Sequence, residues 1–384
     1  MTLSDLFWRI WHTSSEHPLS KNPPELKSNE EDSEKSGVGI SEITALIISS
    51  LILLSLCHWW TLEVIEDGSV YENSRWSRIP DAYDTVRESE GDSVIFIGSS
   101  RIYSGIDGNC LDEKSNFDRN HWNLGIRGDK PYLRLIETEM LKQSGSEIVI
   151  IEAGPNTFST GIGEREHRLR WEIMSLSHEI DLDAEWYNLV IEDDRKYILD
   201  SELDRLIFVY ENYNLGVEEL GFRVINLGES SIDSIDGQMP DPHSKEWLSN
   251  LKLPPIQQNA NLTQEEMDNY IQLLMESDFW RPEAGNHTNR VAIEHIVGEM
   301  ELLGTEVILI SQPVHPSFLN APPEGHWDQY NETMEEFAKD RNFIDLTWEI
   351  WDEENFSDPQ HLSETGRENL CNYLSPLITD ILVT

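Results

Sequence analysis

The stretch Ser93–Arg101, SVIFIGSSR, decides the fold. Its apolar run from Ser93 to Gly98 has the length and the β-branched and aromatic composition of a buried strand, and the glycine marks its end. The two serines that follow lie where a strand turns into a helix. We therefore predict a first strand that delivers a serine to its carboxyl end.

Four more segments have the same strand-like character. They are Trp122–Gly125, Glu147–Ala153, Glu306–Ser311 and Phe343–Leu346. Helical patterns such as Pro131–Gln143 and Asn289–Leu303 lie between them. Strands rich in valine and isoleucine that alternate with helix-length segments are typical of a parallel sheet covered on both faces. We predict an α/β domain with a parallel central sheet, whose ligands bind beyond the carboxyl ends of the strands.

The chain divides by composition into a tail, an apolar segment and a domain. Residues 1–42 are polar and rich in serine and glutamate, which predicts a flexible tail. Residues 43–62 form the apolar segment, residues 63–92 a linker, and residues 93–384 the domain. Residues 157–304 interrupt the strand and helix rhythm. We interpret them as a long insertion that forms a lid or wall, with a separate domain as the alternative.

The apolar segment Ile43–Leu62, ITALIISSLILLSLCHWWTL, has no formal charge. Twenty residues at 1.5 Å each span the hydrocarbon core of a membrane. Trp59 and Trp60 at its end favour the membrane interface. We predict one transmembrane helix, with a buried globular helix as the alternative. Basic residues flank both sides, so the expectation that the domain is extracytoplasmic rests on the usual orientation of N-terminal anchors.

The chain is strongly acidic. It has 72 aspartate and glutamate residues against 28 lysine and arginine residues, and a net charge of −44. Scattered basic residues disfavour a nucleic-acid partner, and the acidity favours a salty setting, with an ordinary acidic protein as the alternative. The three cysteines exclude a disulfide-dense scaffold. Cys110 and Cys371 are able to pair if the domain is outside; two free thiols are the alternative.

Residues with catalytic chemistry follow the predicted strands. In Ser99-Ser100 a hydroxyl is presented in a strand-to-helix turn, which suits a nucleophile, although serine is equally a common helix cap. Gly125 allows a close approach to its backbone N–H, and the Asn156 amide is a possible donor to an oxyanion. Each of these is an ordinary turn residue by default.

A second polar pair stands near the C-terminus. Asp358 and His361 are three residues apart, a spacing that lets a carboxylate orient an imidazole, and His361 is then a candidate general base. A surface Asp–His pair is the alternative.

The order Ser, Gly, Asn and Asp-x-x-His along the chain resembles the SGNH (GDSL-like) hydrolase superfamily. The resemblance implies a three-layer, flavodoxin-like fold. It implies Ser100 as nucleophile, Asp358 as orienter and His361 as base. It also implies an oxyanion hole of the Gly125 N–H, the Asn156 amide and the Ser100 N–H.

Two departures accompany the resemblance. The family's usual aspartate before the nucleophile is Ser99 here, and Thr157 follows Asn156 where aspartate is common. The G-S-S-R form looks like a divergent branch that includes membrane-associated proteins of alginate acetylation and cell-wall D-alanylation. The choice between Ser99 and Ser100 stays open, with Ser100 preferred from its offset after the glycine.

The sequence thus predicts a membrane-anchored serine hydrolase acting on O-acyl esters of a surface glycan or lipid. An O-acyltransferase with the same triad is one alternative, and a catalytically inactive surface-binding module is another. No phosphate-binding loop, dinucleotide fingerprint or paired histidine ligands occur, so we expect neither a cofactor nor a catalytic metal.

Overall fold

The computed structural model describes ten ranges of the chain. They are residues 40–66, 75–115, 119–159, 164–177, 180–199, 201–212, 244–256, 262–276, 288–322 and 324–383. Residues 1–39 of the predicted tail lie outside these ranges.

Five strands and fourteen α-helices occur in the described ranges. The strands are β1 Asp92–Ile97, β2 Arg119–Asn123, β3 Ile148–Glu152, β4 Glu306–Ser311 and β5 Asn342–Asp345. The helices are α1 Ile40–Glu66, α2 Arg75–Glu88, α3 Ser100–Gly105, α4 Gly108–Lys114, α5 Thr138–Gln143, α6 Glu164–Ser177, α7 Glu185–Leu189, α8 Glu202–Glu211, α9 Lys245–Lys252, α10 Gln264–Glu276, α11 Thr288–Leu302, α12 Pro316–Leu319, α13 His326–Phe337 and α14 Glu364–Val383. Short 3₁₀ helices occupy Pro131–Glu137, Arg195–Tyr197 and Glu353–Asn355.

The five strands form one parallel sheet in the order β2-β1-β3-β4-β5. This is a doubly wound order, in which the chain reverses direction across the sheet at β1 and β3. All five strands lie within a few residues of the predicted segments, so the prediction of an α/β domain with a parallel sheet is confirmed.

The sheet is covered on both faces, because alternate residues of each strand enter two different cores. Ile95 and Ile97 of β1 pack in the larger cluster, with α2, α6, α11 and α13. Val94 and Phe96 pack in the other, with α3, α4 and α14. The central strands β1, β3 and β4 therefore have no polar face, which explains their continuous apolar sequences.

The predicted helix over residues 131–143 is instead a 3₁₀ helix followed by α5. Its first turn is held from outside the helix. The Tyr132 N–H donates to Asn289 Oδ1 at 3.2 Å, and the Leu133 carbonyl accepts from Trp171 Nε1 at 3.3 Å. These partners replace part of the regular α-helical ladder.

The described parts of the insertion share the core of the sheet domain. Trp171, Trp186 and Trp247 are each at most 2% exposed and belong to the larger cluster. Helix α11 crosses from the insertion back to β4 and contributes five residues to the same core. A separately packed domain is not seen in these described segments.

Helix α1 contains a segment, Ile43–Leu62, that is long and apolar enough to cross a membrane. It has a mean hydropathy of 1.8, and its residues 43–57 are all exposed in the structure. It is the one such helix in the described ranges.

A ring of four buried charges ties the loop after β2 to the insertion. Arg134 and Arg170 each bind both Asp129 and Glu137, and all four side chains are at most 4% exposed. Arg134 also donates to the carbonyl oxygens of Gly98 and Leu124, at the carboxyl ends of β1 and β2. Two positive and two negative charges balance, which offsets much of their burial cost.

A disulfide joins Cys110 of α4 to Cys371 of α14, which are 261 residues apart in the sequence. The pairing of these two cysteines, which the sequence left open, is therefore present. Cys57 is a free, exposed thiol.

We expect Arg170→Met to lower the free energy of unfolding by about 3–5 kcal/mol, because it leaves two buried carboxylates with one arginine. Arg341→Met is the matched control, since Arg341 pairs with Glu301 at the surface, and should cost about 0–1 kcal/mol. Urea unfolding of the full chain in detergent measures both. An equal fall in the free energy of unfolding of the two variants would contradict the larger contribution that we assign to the buried ring.

We expect Cys371→Ser to lower the free energy of unfolding by about 2–5 kcal/mol, because the unfolded chain regains the freedom that the cross-link removes. The double variant Cys110→Ser/Cys371→Ser should lose no more than the single one. Cys57→Ser is the control and should change nothing. Alkylation of all three cysteines in unfolded, unreduced protein would show that the bond does not form.

Candidate active site

The turn after β1 presents Ser100 at the carboxyl edge of the sheet. Ser99 caps α3, since its hydroxyl accepts the Arg101 N–H at 3.3 Å. The Ser99 N–H donates to Glu152 Oε2 at 2.6 Å. A side chain at Gly98 would collide with Glu152, because a Cβ there would lie 2.5 Å from the Glu152 Cβ. Glycine therefore lets β1 and β3 close tightly below the serines.

Ser100 is the first residue of α3, and its Oγ lies 2.7 Å from His361 Nε2. The hydroxyl of Ser99 is engaged in the helix cap and faces a different partner. Of the two serines that the sequence offered as nucleophile, it is Ser100 whose hydroxyl lies within hydrogen-bond distance of the histidine ring.

The histidine belongs to a short closed loop after β5. Phe356 and Leu362 form an isolated antiparallel bridge at the ends of this loop. His361 Nδ1 lies 2.7 Å from Asp358 Oδ2. The other carboxylate oxygen accepts the N–H groups of Gln360 and His361 at 2.8 and 3.0 Å. The carboxylate thus fixes both the loop and the ring.

The Asp358 carboxyl is held ionised although it is 1% exposed. Burial alone would raise its pKa, but the His361 charge and hydrogen bond and the two backbone N–H groups together lower the pKa below the usual aspartate value. An ionised Asp358 accepts a hydrogen bond from the Nδ1–H of His361, which leaves Nε2 as the acceptor toward Ser100.

Two of the three predicted oxyanion donors are open. The Ser100 N–H has no acceptor in the described parts of the chain. Asn156 is 2% exposed and lies in the turn after β3. Its Oδ1 is fully enclosed without a partner, whereas its Nδ2 is not among the enclosed unpaired atoms and donates to no described group. The amide donor is therefore available to a ligand.

Gly125 is placed differently from the prediction. Its N–H donates to the Asn123 side chain at 3.0 Å, so it is not free for an oxyanion. The glycine is required for packing, since a Cβ would lie 2.3 Å from the Tyr103 N of α3. Gly128, the next glycine of the same loop, is exposed with φ +68°, and its N–H meets no acceptor in the described chain.

Charged side chains are buried directly beneath the site. Arg101 is fully buried; it donates to the carbonyl oxygens of Gln312 and Pro313 and lies 3.9 Å from Glu152. Lys130 donates to the Asn156 carbonyl and to Ser159 Oγ. Burial lowers the pKa of Lys130 to about 7, against the opposing effect of Glu152 and Asp129.

Helix α10 of the insertion stands beside the histidine loop. Ile271 packs against Val314 and Phe318 in the segment after β4. Burial raises the pKa of Tyr270 to about 12, with a contribution from the nearby charge of Asp358. Helix α10 of the insertion therefore lies near Asp358, and a lid or wall formed by the insertion stays a prediction.

One further group of potential metal ligands lies in the described chain. Ligand atoms of Glu185, His295 and Glu299 come within 4.8 Å of one another. Glu299 already pairs with Lys142 at 2.6 Å, so we assign no metal to this group.

Sequence reasoning missed Arg101, Lys130 and Glu152. Glu152 ends an otherwise apolar strand, EIVIIEA, and this buried carboxylate was the one available signal. Nothing in the local pattern marks Lys130 as buried.

Comparison of the chain with models of known protein families gives no match, and comparison with curated proteins gives no significant match.

Proposed function

We propose that this chain is a membrane-anchored serine esterase of the SGNH type, which cleaves O-acyl esters of a surface glycan or lipid. One observation carries the proposal. Asp358, His361 and Ser100 form a continuous chain of two 2.7 Å contacts, built from segments 261 residues apart. A carboxylate, an imidazole and a hydroxyl in this order are the parts that nucleophilic acyl chemistry requires.

The mechanism follows from these contacts. His361 Nε2 takes the proton of Ser100 Oγ as the oxygen attacks the ester carbonyl, and Asp358 stabilises the imidazolium. The tetrahedral intermediate collapses to an acyl-enzyme as His361 returns the proton to the leaving alcohol. Water, deprotonated by His361, then attacks the acyl group and releases the acid and free Ser100.

The negative charge of the tetrahedral intermediate requires donors near Ser100. The Ser100 N–H and the Asn156 Nδ2 are the open donors described above. In place of the engaged Gly125 N–H we propose the Gly128 N–H, which is free and exposed in the loop that follows the same strand.

The surface substrate and the outside location rest on two features. The apolar segment Ile43–Leu62 suits a membrane anchor. The disulfide between Cys110 and Cys371 favours an oxidising compartment. Together they support a catalytic domain held at the outer face of a cell membrane.

We expect Ser100→Ala to abolish hydrolysis of p-nitrophenyl acetate by the full chain in high-salt buffer, because Ser100 carries the hydroxyl that lies 2.7 Å from His361 Nε2 and no other described hydroxyl contacts the imidazole ring. Ser99→Ala should keep activity within about tenfold, since it loses a helix cap worth about 1 kcal/mol. Circular dichroism of both variants controls for folding.

Full activity in Ser100→Ala would contradict the assigned nucleophile. Rapid transfer of the acyl group to an added sugar, outcompeting hydrolysis, would replace the esterase with the alternative O-acyltransferase. Complete inactivity of the folded wild type on acyl esters would favour the binding module.

We expect Asp358→Asn to lower kcat by about 10³–10⁴-fold, because an amide at this position favours the wrong histidine tautomer. The lowered pKa of Asp358 makes the ionised form stabilise the fold above about pH 4, and this contribution is lost as the pH falls through the folded pKa. The wild type's advantage over the variant in free energy of unfolding should therefore shrink on acidification to about pH 3. An unchanged kcat, or an advantage that grows in acid, would contradict this role.

A further inference from the structure

Among the enclosed polar atoms of the described residues that have no hydrogen-bond partner, three converge beside the site. They are Arg101 Nη1, Glu152 Oε1 and Asn156 Oδ1. The three residues are 0%, 3% and 2% exposed, respectively. Buried polar atoms in folded proteins are almost always paired with protein or with ordered water, so three unpaired atoms in one region require a common explanation.

The three atoms converge on one point, which is marked by the missing side chain of Gly154. A Cβ built on Gly154 would lie 2.6 Å from Arg101 Nη1, 3.5 Å from Asn156 Oδ1 and 3.5 Å from Glu152 Oε1. The space in front of the Gly154 Cα is therefore surrounded by one donor and two acceptors. A methyl group there would contact all three.

The atoms do not pair directly. Arg101 Nη1 and Glu152 Oε1 are 3.9 Å apart, which is too long for a hydrogen bond. It is the separation expected when both atoms bond to one bridging oxygen at about 2.8 Å.

We propose that Arg101, Glu152 and Asn156 bind one buried water molecule, which orients the Asn156 amide as an oxyanion donor. The water accepts a hydrogen bond from Arg101 Nη1 and donates one each to Glu152 Oε1 and Asn156 Oδ1. This gives it three partners, the usual number for a buried water. The orienting role rests on the proposed esterase function, whereas the water site itself does not.

The charges around the water select the orientation of the amide. The Asn156 oxygen is the amide atom enclosed on this side, where the Arg101 guanidinium, which has only donors, favours an acceptor. Lys130 holds the carbonyl of the same residue from another direction. Lys130 then binds the Asn156 carbonyl, and the water binds the Asn156 side-chain oxygen. The Nδ2–H groups of the amide are left to face the open site.

Arg101 and Glu152 are therefore positioning residues, which act on the oxyanion hole through the water. Glu152 links the two halves of the site, because its other oxygen accepts the N–H of Ser99 beside the nucleophile. Gly154 leaves this position open, because a Cβ there would lie within 3.5 Å of all three atoms.

A high-resolution crystal structure of the full wild-type chain in detergent tests the water site without reference to activity. We expect an electron-density peak within hydrogen-bond distance of Arg101 Nη1, Glu152 Oε1 and Asn156 Oδ1. A direct Arg101–Glu152 hydrogen bond that closes the space, or an Asn156 amide turned with its nitrogen toward Glu152, would overturn the proposal.

Kinetics of Gly154→Ala test the orienting role. The methyl group takes the place of the water, so kcat for p-nitrophenyl acetate should fall by about 10²-fold, as for a lost oxyanion donor, with KM nearly unchanged. Gly298→Ala is the matched control, since a Cβ at Gly298 meets nothing within 4 Å. A folded Gly154→Ala chain with wild-type kcat would overturn the orienting role.

The two experiments test the water site and the esterase function independently of each other. Density for the water in a wild type that hydrolyses no ester would remove the esterase proposal and leave the water site standing. A wild type that hydrolyses esters but shows no density for the water would remove the water site and leave the esterase proposal standing.

Discussion

The candidate site depends on the parallel pairing of the five strands. In a parallel sheet every strand ends at the same edge, so the turns after β1, β3 and β5 meet there although they are far apart in sequence. The register Val94↔Ile148 and Ile148↔Glu306 carries this alignment across the centre of the sheet. Ser100 follows β1, Asn156 follows β3, and the loop of His361 follows β5. The short contact between Ser100 and His361 is a consequence of that alignment.

Buried charge holds these turns in place. The ring of Asp129, Arg134, Glu137 and Arg170 fixes the loop after β2 and binds the Gly98 carbonyl below the serines. Arg101 reaches in the other direction, to the backbone after β4. Ion pairs of this kind add little net stability over apolar residues. Their value here is geometric, because Arg134 and Arg101 bind backbone carbonyls at the carboxyl edge of the sheet.

The sequence predicted the central strands β1, β3 and β4 well because they are buried on both faces and therefore appear as continuous apolar runs. The edge strands β2 and β5 carry polar residues and give a weaker signal. It also singled out Ser100, Asn156, Asp358 and His361, since each follows a strand-like run or stands in the last loop. It failed where a role depends on contacts between distant segments. Gly125 looked like a donor, but its N–H binds Asn123. Lys130 and Arg101 resemble surface residues until the surrounding helices bury them.

The proposed esterase requires Ser100 to be a reactive nucleophile in the folded chain, and a fluorophosphonate probe measures this directly. The full chain is treated with the probe in high-salt buffer, digested, and its peptides analysed by mass spectrometry. The account predicts a single adduct on Ser100, which His361→Ala removes while Ser99→Ala does not. An adduct on another serine, or a folded chain whose Ser100 stays unmodified, would contradict it.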